Sequence, residues 1–126
     1  MAGGILGLDL ARKYGWAVLD ANGSYVASGA RSLDAADPIG RQMHRLSMSI
    51  SDLIDEYRPE WVVVEKPILV GRMQSFDTAL KLMGYAAVAS LVAELREVGF
   101  QTVQRSAACK AVLGKGRITK EEGVMH

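Results

Sequence analysis

Two short apolar segments, each ending at an acidic residue, place the strongest constraint on how this chain can fold. The segment Ile5-Leu6-Gly7-Leu8 leads into Asp9, and the segment Trp61-Val62-Val63-Val64 leads into Glu65. A strand made only of apolar residues is covered on both faces, so both segments predict buried strands of one sheet. A charge at the end of such a strand needs a partner or a metal ion. The pattern therefore predicts a covered sheet with two carboxylates at strand ends.

The order of the predicted elements is that of a mixed α/β sheet. Strands are predicted at 5–10, 15–20 and 25–33, and the Asn-Gly pair at 22–23 is a hairpin signal between the second and the third. These strands are followed by a helix from Asp37-Pro38 to Arg58, a strand at 61–65 and a helix at 75–98 capped by Gly99. A strand at 100–104 and a helix at 106–113 come last. This order is that of the ribonuclease H-like fold: an antiparallel three-strand meander, then two parallel strands, flanked by helices. In that fold Asp9 and Glu65 are neighbours, and residues 1–126 form a single domain.

The two long helices are predicted to carry apolar stripes. The stripe of the first consists of Ile39, Met43, Leu46, Ile50, Leu53 and Tyr57. The stripe of the second consists of Phe76, Leu80, Met83, Ala87, Leu91 and Leu95. Small residues of the second helix (Gly84, Ala86 and Ala87) would allow close packing against a second copy of the chain.

The composition excludes several classes of protein. The formal net charge of +1 gives no global basic field, so nucleic-acid binding must depend on a local patch. A single cysteine, Cys109, excludes an internal disulfide and a thiolate zinc cluster, and it suits a reducing cytoplasm. No apolar stretch is expected to approach the roughly 18 residues of a membrane span. The N-terminus has no secretory-signal pattern.

The acidic pair predicts a site for a hard divalent cation. Carboxylate oxygens suit Mg²⁺, with Mn²⁺ as a substitute, whereas the sequence offers no cysteine or histidine pair for zinc. Phosphodiester hydrolysis with two metal ions needs three or four carboxylates, one of which bridges both ions. Asp9, expected to be central and buried, is the natural bridge. The alternatives are that Asp9 caps a turn and that Glu65 forms a salt bridge with Lys66.

Two segments supply candidate contacts to a nucleic-acid backbone. In 114–120, glycines allow close approach to a phosphate, and Lys115, Arg117 and Lys120 supply positive charge. Lys110 lies one helical turn earlier. The loop after Glu65 adds Lys66 and Arg72. The alternative for both segments is a solvated surface loop.

These segments together resemble the RuvC family of Holliday-junction resolvases, particularly its shorter phage-type relatives. The similarity lies in 5–9 with Gly15-Trp16-Ala17, in 62–67, and in the lysine-rich stretch 109–120, in the same order. The resemblance implies a dimeric, Mg²⁺-dependent endonuclease that nicks branched DNA such as four-way junctions. Asp9 and Glu65 would be metal ligands, and Lys110, Lys115, Arg117 and Lys120 would contact phosphates.

One departure from the family pattern leaves alternatives open. Family members carry two further acidic residues on a last helix, and this sequence stops at 120–126, where that helix would begin. We expect a domain incomplete at its C-terminus, explained by truncation, by completion from a partner chain, or by loss of catalysis. A non-catalytic nucleic-acid-binding module is therefore the main alternative to a nuclease. An actin-like ATPase fragment and a RuvX-type protein fit less well, because no second Asp-x-Gly loop is present and Glu65 precedes Lys66-Pro67.

Overall fold

The computed structural model describes residues 3–66 and 75–104, and its strands form one five-stranded sheet. The elements are β1 (Gly4–Asp9), β2 (Lys13–Leu19), β3 (Tyr25–Ser32), α1 (Ile39–Tyr57), β4 (Pro59–Glu65), α2 (Phe76–Leu95) and β5 (Gly99–Val103). The strand order is β3-β2-β1-β4-β5, with β1, β2 and β3 antiparallel and β4 parallel to both β1 and β5. The predicted ribonuclease H-like sheet is confirmed. The predicted helix at 106–113 lies outside the described residues.

Successive side chains of the central strands point to opposite faces of the sheet. Leu6 and Leu8 of β1, with Val62 and Val64 of β4, are fully buried in the main core against α1 and α2. Residues at the alternate positions point to the opposite face, where Leu19 and Val63 are buried beside Ile5 and Val103. We call this second surface the acidic face, because Asp9 and Glu65 continue its alternation. Since β1 and β4 bury side chains on both faces, the segments 5–8 and 61–64 are apolar without alternation.

The middle of the first helix packs as its apolar spacing predicts, but Ile39 of the predicted stripe is exposed, and the start of the helix also differs. Its buried residues are Gln42, Leu46, Ile50, Leu53 and Ile54. The N-cap is Pro38, and no side chain caps the helix. The Asp37 carboxylate, predicted to be the cap, instead forms ion pairs with Arg41 at 3.8 Å and Arg45 at 3.3 Å. These ion pairs hold the Asp37 carboxylate beside the first helical turns, so it does not accept hydrogen bonds from the backbone N–H groups there.

Polar contacts fasten α1 to the antiparallel strands. The Tyr14 hydroxyl donates to Ser49 Oγ, and Arg31 donates to the same oxygen at 2.6 Å. The Arg31 guanidinium also lies 5.8 Å from the ring centroid of Trp16. Tyr14 is buried, so it belongs to the core and does not offer a face on which a nucleic-acid base could stack.

The second helix begins where predicted and ends earlier. Ser75 is the N-cap, and its Oγ accepts a hydrogen bond from the Thr78 backbone N–H at 3.1 Å. The helix ends at Leu95 rather than Val98, and Glu97 adopts the left-handed backbone with φ +58°. Gly99, predicted as the cap, is instead the first residue of β5. A Cβ there would lie 2.6 Å from the Trp61 indole, so the glycine is needed for close packing of β5 against β4.

The predicted apolar stripe of α2 lies on the solvent side of the helix. Phe76 is 81% exposed and Leu91 is 56% exposed, and Leu80, Met83, Ala87 and Leu95 are exposed with them. The buried face is formed instead by Tyr85, Ala89, Val92 and Ala93. The helix is apolar on both sides, so its periodicity does not determine which side faces the core. We call Phe76, Leu80, Met83, Ala87, Leu91 and Leu95 the outer α2 stripe.

The apolar character of α2 also corrects an expectation about membrane spans. By length and composition alone, Phe76–Leu95 could cross a bilayer, although it was expected that no stretch would approach that length. Its charged residues include Asp77 and Lys81, which form an ion pair at 3.4 Å one helical turn apart. Its inner face packs against α1 and the sheet. In this fold the helix is a covering layer of the domain.

A buried polar contact links the two helices, and its removal gives a testable stability change. The Tyr85 hydroxyl donates to Gln42 Oε1 at 2.9 Å, and Gln42 Nε2 donates to the Asp37 carbonyl at 3.0 Å. Tyr85→Phe removes the donor and leaves the buried Gln42 oxygen without it. We expect the free energy of unfolding at pH 7 to fall by about 1–3 kcal/mol. Urea denaturation measures it, with Tyr25→Phe as a control whose partner Ser28 is less buried.

The same variant should change how stability depends on pH. Burial raises the pKa of Tyr85 above its ordinary value near 10. The unfolded chain then releases this proton at lower pH than the folded chain, so its stabilising contribution is complete below about pH 10 and is lost at higher pH. Between pH 9 and pH 11 the parent protein should therefore lose stability more steeply than Tyr85→Phe. Equal slopes for the two proteins would contradict this assignment.

Candidate metal and nucleic-acid site

The parallel pairing of β1 with β4 places the two acidic residues side by side. Leu8 and Val64 are Cα partners, so Asp9 and Glu65 occupy the next position along the two strands. Neighbouring strands lie about 4.8 Å apart, and partners at one position share a face of the sheet. Both carboxylates therefore project from the acidic face at the carboxyl ends of the two strands. The structure brings together the pair that the sequence singled out.

The two carboxylates have different surroundings. Glu65 is buried, with 8% of its surface exposed, and its backbone pairs with Val103 of β5. Asp9 was expected to be buried, and this is wrong, because it is exposed at the end of β1. Its partner on β2 is Gly15, which has no side chain to cover it. The pair thus combines one carboxylate held in the sheet with one open to an approaching ligand.

The described residues fit a hard divalent cation in part. Mg²⁺ is commonly held by one or two carboxylates, with water and substrate phosphates completing its coordination. Asp9 and Glu65 supply that number of carboxylates, and Asp9 leaves room for water beside it. Within residues 3–66 and 75–104, no group of three or more His, Cys, Asp or Glu could hold a metal. The donor set found here therefore matches one ion, and a second ion needs ligands from elsewhere.

Of the predicted cationic residues, only Lys66 lies in the described part of the chain. Lys66 follows Glu65 directly, and its backbone N–H donates to the Val103 carbonyl at 2.8 Å while its side chain is exposed. Lys66 is therefore an exposed cation at the end of β4, one residue after the acidic pair. The other candidates lie outside the described residues: Arg72, Lys110, Lys115, Arg117 and Lys120.

The sequence prediction did not include Lys13, which the structure places near the acidic pair. The second strand begins at Lys13, two residues before its predicted start. Lys13, Gly15, Ala17 and Leu19 alternate with Tyr14, which packs in the main core, so Lys13 belongs to the acidic face. The sequence could have predicted Lys13 if the second strand had been extended back by two residues, because side chains two positions apart lie on the same face and Lys13 then shares the face of Gly15.

Comparison with known proteins identifies the family. The model of a family described as "Crossover junction endodeoxyribonuclease RuvC" matches residues 5–126, which is nearly the whole chain. The chain belongs to the RuvC family. The RuvC of Citrifermentans bemidjiense is 34% identical over 124 residues, covering 94% of this chain and 73% of that protein. The RuvC of Geotalea uraniireducens is 31% identical over 125 residues, covering 94% and 70% respectively.

Solved structures show the same fold at lower sequence identity. RuvC of T. thermophilus in complex with a Holliday junction substrate has a TM-score of 0.75 at 13% identity, covering 94% of this chain and 76% of that one. The yeast mitochondrial Holliday junction resolvase Ydc2 has a TM-score of 0.56 at 12% identity, covering 84% and 52%. The predicted ribonuclease H-like architecture is therefore that of RuvC, and the resemblance read from the sequence is confirmed.

Proposed function

We propose that this RuvC-family chain is a structure-selective endonuclease that resolves Holliday junctions or other branched DNA. The observation that carries the proposal is the adjacent position of Asp9 and Glu65 on the acidic face, at the ends of two central strands. Family membership supports the same chemistry, because the matched relatives are crossover junction endodeoxyribonucleases. A cytoplasmic location and a single domain over 1–126 belong to the same proposal.

We propose Mg²⁺, with Mn²⁺ as a substitute, as the ion held by Asp9 and Glu65. When bound, such an ion activates water and stabilises the leaving oxygen of a phosphodiester. The described residues contribute a fixed backbone: β1 and β4 hold Asp9 and Glu65 at one level of the sheet. Asp9, being exposed, is the residue open to the substrate side. Hydrolysis with two ions requires further ligands besides this pair.

The cationic residues near and beyond the pair are proposed contacts to DNA phosphates. Lys66 supports this role through its exposed position directly after Glu65. Each contact that neutralises a phosphate adds salt-dependent affinity, which suits a chain without a large net charge. The same role is proposed for Arg72, Lys110, Lys115, Arg117 and Lys120.

We propose further that the chain is a homodimer joined through α2. The outer α2 stripe exposes large apolar side chains over the length of a 20-residue helix, while its inner face is already packed in the core. A contiguous apolar surface of this kind on a folded domain marks an interaction site. A two-fold axis would bury the same stripe of both copies against itself. Two copies would also present two acidic faces to a branched DNA with two-fold symmetry.

The test is incubation of the full chain with a labelled four-way junction and, separately, with linear duplex. Binding and cleavage are read in Mg²⁺, in Mn²⁺ and in EDTA. Metal-dependent nicking of the junction in preference to the duplex supports the proposal. Junction binding without nicking in either metal would favour the non-catalytic binding module, and failure to bind the junction at low salt would contradict both.

A further inference from the structure

Lys13 lies diagonally across from Asp9 on the acidic face. Gly15 is the direct partner of Asp9, and Lys13 is two residues from Gly15 on the same strand, so both point to one side of the sheet. Diagonal neighbours of this kind are separated by about 7–8 Å, which a long side chain can span. Lys13 also lies beyond the end of β1, at the edge of the sheet where Asp9 is exposed.

Among the described residues, no side chain covers the surface between Lys13 and Asp9. Gly15 has no side chain, and a Cβ built there meets only the Gly29 carbonyl oxygen, at 3.9 Å. Lys13 is exposed, and within the described part of the chain its ammonium has no hydrogen-bond or ion-pair partner. It is not paired with Asp9 either, although the two charges are opposite. An unpaired cation and an exposed carboxylate therefore flank a shallow strip of backbone with no side chain on it.

A cation at this position would offset part of the negative charge of the site. DNA brings one negative charge with each phosphate, and Asp9 and Glu65 would repel it. Lysine binds a phosphate as a point charge and keeps a hydrated, mobile head group. Arg12, the neighbouring cation, is turned away, because its guanidinium donates to the Leu33 carbonyl at 3.2 Å. Of the two neighbouring cations Arg12 and Lys13, Lys13 is thus the one placed to meet the DNA strand.

We propose that Lys13 contacts a backbone phosphate of the DNA strand lying over Asp9 and Glu65, and so positions that strand against the acidic pair. The inference rests on the proposed function of the same site. Lys13 is a positioning residue, because it acts on the substrate backbone beside the pair and holds no metal. Lys13 would contact the phosphodiester backbone and not the bases, so its contribution to DNA affinity should not depend on base sequence.

The test measures how junction affinity depends on salt in EDTA, where no cleavage occurs and no metal is bound. Lys13→Gln should reduce the magnitude of the slope of log K against log salt by about 0.9, the value for one phosphate contact. Lys13→Thr repeats the test if Lys13→Gln folds poorly, because threonine is common in strands. Lys13→Arg keeps the charge and should keep the slope.

Arg41→Gln is the matched control. It also removes one positive charge, but from the exposed surface of α1, which packs on the other face of the sheet. Its slope should equal that of the parent. An unchanged slope in Lys13→Gln and Lys13→Thr, or an equal reduction in Arg41→Gln, would overturn the assignment of Lys13 while leaving the nuclease proposal standing. Failure of the parent chain to bind the junction would overturn both.

Discussion

Replacing Asp9 with Asn should abolish metal-dependent cleavage of a four-way junction while leaving the fold intact. The amide keeps the size of the side chain but removes the charge that holds the cation, at an exposed strand end where no core packing depends on it. Loss of several kcal/mol of metal stabilisation corresponds to at least about a hundredfold in rate. Junction binding in EDTA should persist or tighten, because one negative charge no longer repels DNA.

Single-turnover cleavage in Mg²⁺ and in Mn²⁺ measures the effect, with thermal unfolding as the check on folding. Asp52→Asn is the matched control, since it makes the same change at an exposed position of α1, away from the acidic face. Its cleavage rate should equal that of the parent. If Asp9→Asn cleaved the junction at the parent rate, Asp9 would not be part of the site, and the proposed mechanism would be wrong.

A charge placed in the outer α2 stripe should separate the proposed dimer. In Leu91→Glu the interface loses a leucine and must bury a carboxylate, which together cost about 3 kcal/mol or more. The dimer dissociation constant should therefore rise by at least about a hundredfold. Because Leu91 is 56% exposed and does not belong to the buried core, the free energy of unfolding of the monomer should change little.

Sedimentation velocity over a range of concentrations gives the dissociation constant. Met48→Glu is the control, because Met48 is 54% exposed and lies on α1, and its exposure is close to that of Leu91. This variant should remain dimeric. If the parent chain sediments as a monomer at high concentration, or if Leu91→Glu dimerises as tightly as the parent, α2 is not the interface.

The arrangement of the strands and the acidic pair could be predicted because local signals agree with the tertiary structure. Val62, Val63 and Val64 are apolar without alternation, as a strand covered on both faces requires, and Glu65 ends the same run. The hairpin signal at 22–23 fixes the antiparallel turn, and Gly23 adopts φ +83°. Adjacent ends of β1 and β4 then follow from the strand order. Family resemblance led to the same conclusion.

The errors occur where a residue's role depends on what approaches it from elsewhere in the chain. Asp9 is exposed because the strand opposite places Gly15 beside it, and this register is not visible in the β1 sequence. Gly99 looks like a helix cap, but it is a glycine because Trp61 lies over it. The face of α2 could not be chosen, since Tyr85 and Leu91 are both apolar and only packing against α1 distinguishes them.

Because β1 and β4 pair in parallel, the proposed cleavage of DNA depends on correct folding. Asp9 and Glu65 are separated by more than fifty residues, including all of α1, so they meet only after a slow, non-local pairing step. A slip of one residue in that pairing would turn Glu65 towards the helices and leave Asp9 alone on its face. A partly folded or misaligned chain is then inactive. The proposed nuclease activity would then appear only in the completed native state.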